Sequence, residues 1–118
     1  MDKINIEQYY SNKKIIDETI RQLEKDFLLA EGSLHVQDYQ GNLFEQFVEA
    51  VHPIIATLIA NNYQQFLNTL YTIDVSEQKL KQELAKVDPS KHTEVITRLV
   101  LQRELQKVLL RNIYSSKK

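Results

Sequence analysis

Ile16, Ile20, Leu23 and Phe27 follow one another at spacings of four, three and four residues, the period that aligns side chains on one face of an α-helix. Lys13, Lys14, Asp17, Glu18, Arg21, Glu24 and Lys25 fill the positions around them. The pattern predicts an amphipathic helix over about residues 6–30, with Gly32 as its left-handed stop. The period lapses between residues 31 and 41, which hold both glycines of the chain, and this stretch reads as a loop. A second helical pattern runs over about residues 42–72 through Phe44, Phe47, Val48, Val51, Ile55, Leu58, Ile59, Phe66, Leu67 and Leu70. Pro53 lies inside it. Proline removes a backbone donor and crowds the preceding turn, so a kink or break is expected near residue 52.

Asp74 and Glu77 stand three apart, as a capping box requires; Ser76 is an alternative cap, with Val75 and Leu80 as a hydrophobic staple. Either start predicts a short helix over about residues 75–86, with Leu80, Leu84 and Val87 on its buried stripe. Asp88-Pro89 supplies a cap and a proline at the first helical position, opening a last helix over about residues 89–114. The expectation is an all-α fold, one helical domain over residues 1–118. Its form is an antiparallel bundle of about four helices, three longer and one short.

Composition agrees. With two glycines and two prolines in 118 residues, the chain lacks the turn residues that repeated strand reversals need. It has no cysteine, which removes disulfides, thiolate metal sites and cysteine nucleophiles from consideration. The amino terminus lacks a basic start followed by an apolar run, and the most apolar stretch, residues 51–60, is shorter than a bilayer span. A cytoplasmic protein without a membrane association is expected.

Charge and hydropathy are unevenly placed. Residues 1–78 carry a net charge of −7 and residues 79–118 a net charge of +6. Such a chain either pairs its two halves internally or presents a surface that steers a charged partner. From residue 42 to residue 73 the only charged side chains are Glu45 and Glu49. The last helix is apolar over much of its circumference, through Val95, Ile96, Leu99, Val100, Leu101, Leu105, Val108, Leu109, Leu110 and Ile113; its clearest solvated strip is Arg103, Lys107 and Arg111. Helices apolar nearly all round need cover on more than one side. Either these two form the centre of the bundle, or the surplus is buried on a second copy, a homodimer, or on a protein partner.

Chemistry finds little support. Glu49 and His52 form a Glu-x-x-His unit, the spacing used in di-iron bundles, but neither His35 nor His92 has a glutamate three residues earlier. No phosphate-cradling loop or nucleophile elbow is present, and no cofactor is expected. The leading reading is a non-catalytic helical interaction module. An alternative is a binder of nucleic acid or another acidic partner through the basic last helix, in which Lys91, Arg98, Arg103, Lys107, Arg111, Lys117 and Lys118 collect. A second alternative is a metal-dependent enzyme around Glu49 and His52.

The stretch Leu70-Tyr71-Thr72-Ile73-Asp74-Val75-Ser76-Glu77-Gln78-Lys79-Leu80, with Gln102-Arg103-Glu104-Leu105-Gln106-Lys107 further on, resembles small all-helical bacterial proteins with no assigned activity. The likeness covers about half of the chain. It implies an intracellular helical protein and carries over no functional residue.

Overall fold

The computed structural model describes residues 5–36 and 42–116. Gly41 of the expected loop, and Lys117 and Lys118 of the basic end, lie outside them. The described residues are helical without strands: a 3-10 turn Ile6–Tyr9, then α1 Lys13–Asp26, α2 Leu43–Asn61, α3 Tyr63–Ile73, α4 Glu77–Leu84, a 3-10 turn Pro89–Lys91 and α5 His92–Ser116.

Asparagine opens most of these elements. Its short amide accepts a bond from one of the first backbone N–H groups, which have no partner inside the helix. Asn12 accepts from the N–H of Ile15, Asn42 from that of Glu45 and Asn62 from that of Gln65, all within 3.2 Å. Asn5 does the same for Glu7 at the first 3-10 turn. These caps correct two expected boundaries. The first helix begins at Lys13 rather than near residue 6, because Asn12 interrupts the chain there. The second does not break at Pro53: α2 continues to Asn61, and the break falls at Asn62, whose non-helical backbone (φ −152°, ψ 71°) ends α2 and whose side chain caps α3. Pro53 is tolerated because it lies on the exposed side of α2. The carbonyl it leaves without a partner, that of Glu49, lies on that side too, where solvent can satisfy it.

Two helices close on left-handed residues that are not glycine. After α1, Leu29 N–H donates to Glu24 O at 2.8 Å and Leu28 N–H to Lys25 O at 3.2 Å, with Leu28 at φ 58°. This is a Schellman closure, placed at Leu28 rather than at the expected Gly32. Gly32, at φ 83°, turns the chain a few residues later, where the buried Glu24 carboxylate accepts the N–H groups of Gly32 and Leu34. After α3, Asp74 at φ 65° closes the helix in the same way. Asp74 therefore ends α3, and Ser76 is the cap of α4, its Oγ accepting from Lys79 N–H at 3.2 Å.

Leu28 is 82% exposed, so its side chain gains little from the strained backbone that carries it. The left-handed region costs an L-residue about 1–2 kcal/mol, and glycine would return part of that gain as unfolded-state entropy. Leu28→Gly is expected to raise stability by about 0.5–1 kcal/mol in urea denaturation; a loss of stability would show that the Leu28 side chain has a partner.

The core gathers on α5. Val100, Leu101, Leu105 and Val108 are fully buried, and α1, α2, α3 and α4 all pack against that helix. Ile16, Ile20 and Leu23 of α1 and Phe44, Phe47, Val51 and Ile55 of α2 complete the cluster. The amino-terminal turn is fastened to it: Phe44 N–H donates to Tyr10 O at 2.9 Å, and the two rings stack at 4.0 Å.

Candidate functional site

The apolar surplus expected of two helices belongs in the structure to only one of them. α5 is apolar over much of its circumference because it is enclosed by the others. The carboxy-terminal half of α2 and all of α3 remain half-covered: Leu58, Ile59 and Leu70 are half-buried, while Tyr63, Leu67 and Tyr71 are 57, 36 and 82% exposed. Leu67, placed by the helical pattern with the core, faces outward because Phe66, Thr69 and Ile73 take the inner face of α3. No charged side chain occurs from residue 50 to residue 73.

Tyr63, Leu67 and Tyr71 stand four apart, hence on one ridge of the helix. Tyr63 leans on Phe66 with ring centroids 6.0 Å apart. The amides beside the ridge are partly satisfied locally, since Gln64 Nε2 donates to Asn68 Oδ1 at 3.0 Å and Asn62 Nδ2 to Gln65 Oε1 at 3.0 Å. Near the end of α2, Phe27, Leu29, Ile54 and Leu58 line an apolar groove of about 440 Å³ that reaches Asn61. By length and composition α2 is also apolar enough to cross a bilayer, with a mean hydropathy of 1.4, a property it shares with core helices of soluble proteins.

The basic strip of α5 is largely committed within the fold. Arg98 grips the Glu45 carboxylate with two bonds of 2.6 and 2.7 Å. Hydrogen bonding to Arg98, against a smaller opposing effect of desolvation, holds the Glu45 carboxyl below its ordinary pKa, and the same pairing raises that of Arg98. Arg103 donates from Nε to Ile73 O at 3.2 Å and lies 3.5 Å from Asp74. Lys107 Nζ lies 3.4 Å from Asp26 and 3.5 Å from Glu104. Arg111 is exposed and donates to Gln22 Oε1 at 2.9 Å. The strip is thus not uniformly solvated: Arg103 and Lys107 are mostly covered, and the positive half of the chain meets the negative half inside one molecule.

Behind Lys107 lies a carboxyl group that composition and charge counting pass over. Glu104 is fully buried, and neither of its oxygens receives a hydrogen bond from a described residue. Burial, reinforced by the neighbouring Asp26, pushes its pKa up to about 8. For Asp26, desolvation acts upward, but hydrogen bonds from Glu104 and Gln22 and the charge of Lys107 outweigh it and hold the group below its ordinary value. These facts agree if Glu104 is a neutral acid whose O–H donates to the Asp26 carboxylate. The signal in the sequence was a glutamate three residues after Leu101 and four before Val108, on the apolar stripe itself.

The remaining candidates do not assemble a reaction centre. Glu49 is exposed and His52 half-buried on α2, and among the described residues no group of three or more His, Cys, Asp or Glu side chains is placed to hold a metal ion. His92 Nε2 lies 3.1 Å from Leu84 O, at the end of α4. A cavity of about 760 Å³ opens between the first 3-10 turn, α4 and α5. Its walls combine apolar Ile6, Val75 and Leu99 with Tyr10, Lys79 and Arg103. Burial raises the pKa of Tyr10, whose hydroxyl accepts from Gln102 Nε2 at 3.3 Å.

Comparison of the chain with protein families, curated proteins and solved structures finds no match.

Proposed function

We propose that this protein is a non-catalytic helical interaction module that buries the uncharged outer face of α2 and α3 on a second copy or on a protein partner. One observation carries the reading: an unbroken run free of charged side chains, residues 50–73, ends in a helix with Tyr63, Leu67 and Tyr71 on its exposed side. A soluble surface normally intersperses charge with apolar groups, and an apolar ridge with aromatic residues is the composition of interface centres. Within this reading the helices form an antiparallel bundle around α5, and the protein works in the cytoplasm, in keeping with its lack of cysteine.

The nucleic-acid reading loses its ground, because Arg98, Arg103 and Lys107 already serve partners in the fold. The metal-enzyme reading finds no ligand set around Glu49 and His52 among the described residues. Light scattering over a concentration series, with an apolar-surface dye in parallel, tests the interaction module. Mass-action association, or dye uptake by the folded monomer, is the expected result. A strict monomer that takes up no dye and binds no partner would remove the proposal.

A further inference from the structure

The exposed ridge of α3 reads the same in both directions. Tyr63 and Tyr71 lie four residues before and four after Leu67, and the helix that carries them, Tyr63–Ile73, has no charged residue. A twofold interface requires this kind of pattern, because it sets each residue i against a residue j of the other copy and j against i. An antiparallel α3 pair centred on Leu67 places Tyr63 beside the partner's Tyr71 at both ends. The ridges are i, i+4 rows, which interdigitate in the commonest mode of helix packing.

We propose that two copies of this chain associate across a twofold axis at Leu67, with the exposed ridges of their α3 helices packed antiparallel. The inference rests on the interaction-module reading and names its partner and its surface. Charge favours a second copy over the other occupants. A charge-free face offers no ion pair to a charged partner protein. An anionic membrane is disfavoured as well: residues 26–78 contain no lysine or arginine, and Glu45, Glu49, Asp74 and Glu77 bracket the face, whereas helices that lie on membranes carry basic residues beside their apolar side. In a copy of the same chain, uncharged surface meets uncharged surface, and tyrosine hydroxyls stay at the wet rim.

A single short helix per copy makes a small interface, at the low end of roughly 1,200 Å² in total. The dissociation constant is accordingly expected to be micromolar or weaker.

The natural absence of cysteine makes the test direct. Position 67 meets itself across the axis, within the reach of a disulfide, whereas position 71 lies about 12 Å along the helix from its own copy. Under mild oxidation at about 0.5 mM protein, Leu67→Cys is expected to form a covalent dimer at least tenfold faster than Tyr63→Cys or Tyr71→Cys alone. An equimolar mixture of the two tyrosine variants should cross-link to each other. Leu67→Glu should abolish association at about 0.5 mM while keeping the helical circular dichroism of the native chain in dilute solution, where both proteins are monomers.

A dimer that survives Leu67→Glu and shows no preference for cross-linking at 67 would overturn this axis while leaving the interaction module standing. A chain that stays monomeric at that concentration, whether it instead binds dye or partitions onto phosphatidylcholine vesicles, would overturn pairing with a second copy. Failure of every arm would remove both.

Discussion

Replacing Glu104 with glutamine is expected to make the protein more stable at pH 8.5, by about 2–4 kcal/mol, and to change its stability at pH 5 by less than about 1 kcal/mol. The carboxyl titrates near its ordinary value of 4.5 in the unfolded chain but near 8 in the fold. Between those limits the native state holds a proton that the unfolded state has released. Stability therefore falls as pH rises through that window, by up to about 1.4 kcal/mol per unit. Glutamine copies the shape of the neutral acid but cannot ionise, and its oxygen remains beside Lys107. Asp26 acts with the opposite sign. Its lowered pKa favours the fold above the ordinary carboxylate range and is lost as pH falls through the folded value. The native chain should be most stable in mildly acidic solution, and Glu104→Gln should move that optimum upward. Urea midpoints at half-unit steps from pH 4 to pH 9 measure this; equal slopes for the two proteins would show that Glu104 does not hold the proton.

Leu105→Ala is expected to cost about 3–4 kcal/mol, a large part of the stability of a domain of this size. Leu105 is fully buried on α5, and because α5 is packed from several sides, no one neighbour can collapse into the space left. Leu110, five residues later and only half-buried beside the open cavity, should cost about 1 kcal/mol when replaced by alanine. Denaturant unfolding of the pair tests the central position of α5; similar losses at both sites would contradict it.

Much of the all-helical fold was legible from spacing alone. The stripe Ile16, Ile20, Leu23 and Phe27 forms the inner face of α1 and its end; Asp88-Pro89 opens only a 3-10 turn, the Asp88 side chain makes no capping bond there, and α5 begins at His92 rather than Pro89. Boundaries failed where local capping outweighed periodicity. Asn12 and Asn62 start helices inside stretches that read as continuous, and Pro53, counted as a break, sits where a lost bond faces solvent. Left-handed closure at Leu28 was not legible, because leucine has no preference for that conformation. The charge dipole of the chain was evident, but its internal pairing depends on which faces meet. Of the α3 ridge only Leu67 belongs to the apolar period read from the sequence, and periodicity locates a face without saying what covers it.

Because every helix of the fold leans on α5, the order of events during synthesis is constrained. Tyr10 waits for Gln102, and Asp26 for Lys107, across 92 and 81 residues of chain. Until α5 leaves the ribosome, α1 to α3 have no lasting cover for Phe44, Phe47 and Ile55. Folding of the helices before it must then wait for α5, and until that helix emerges the chain presents greasy helices to any chaperone stationed at the exit tunnel.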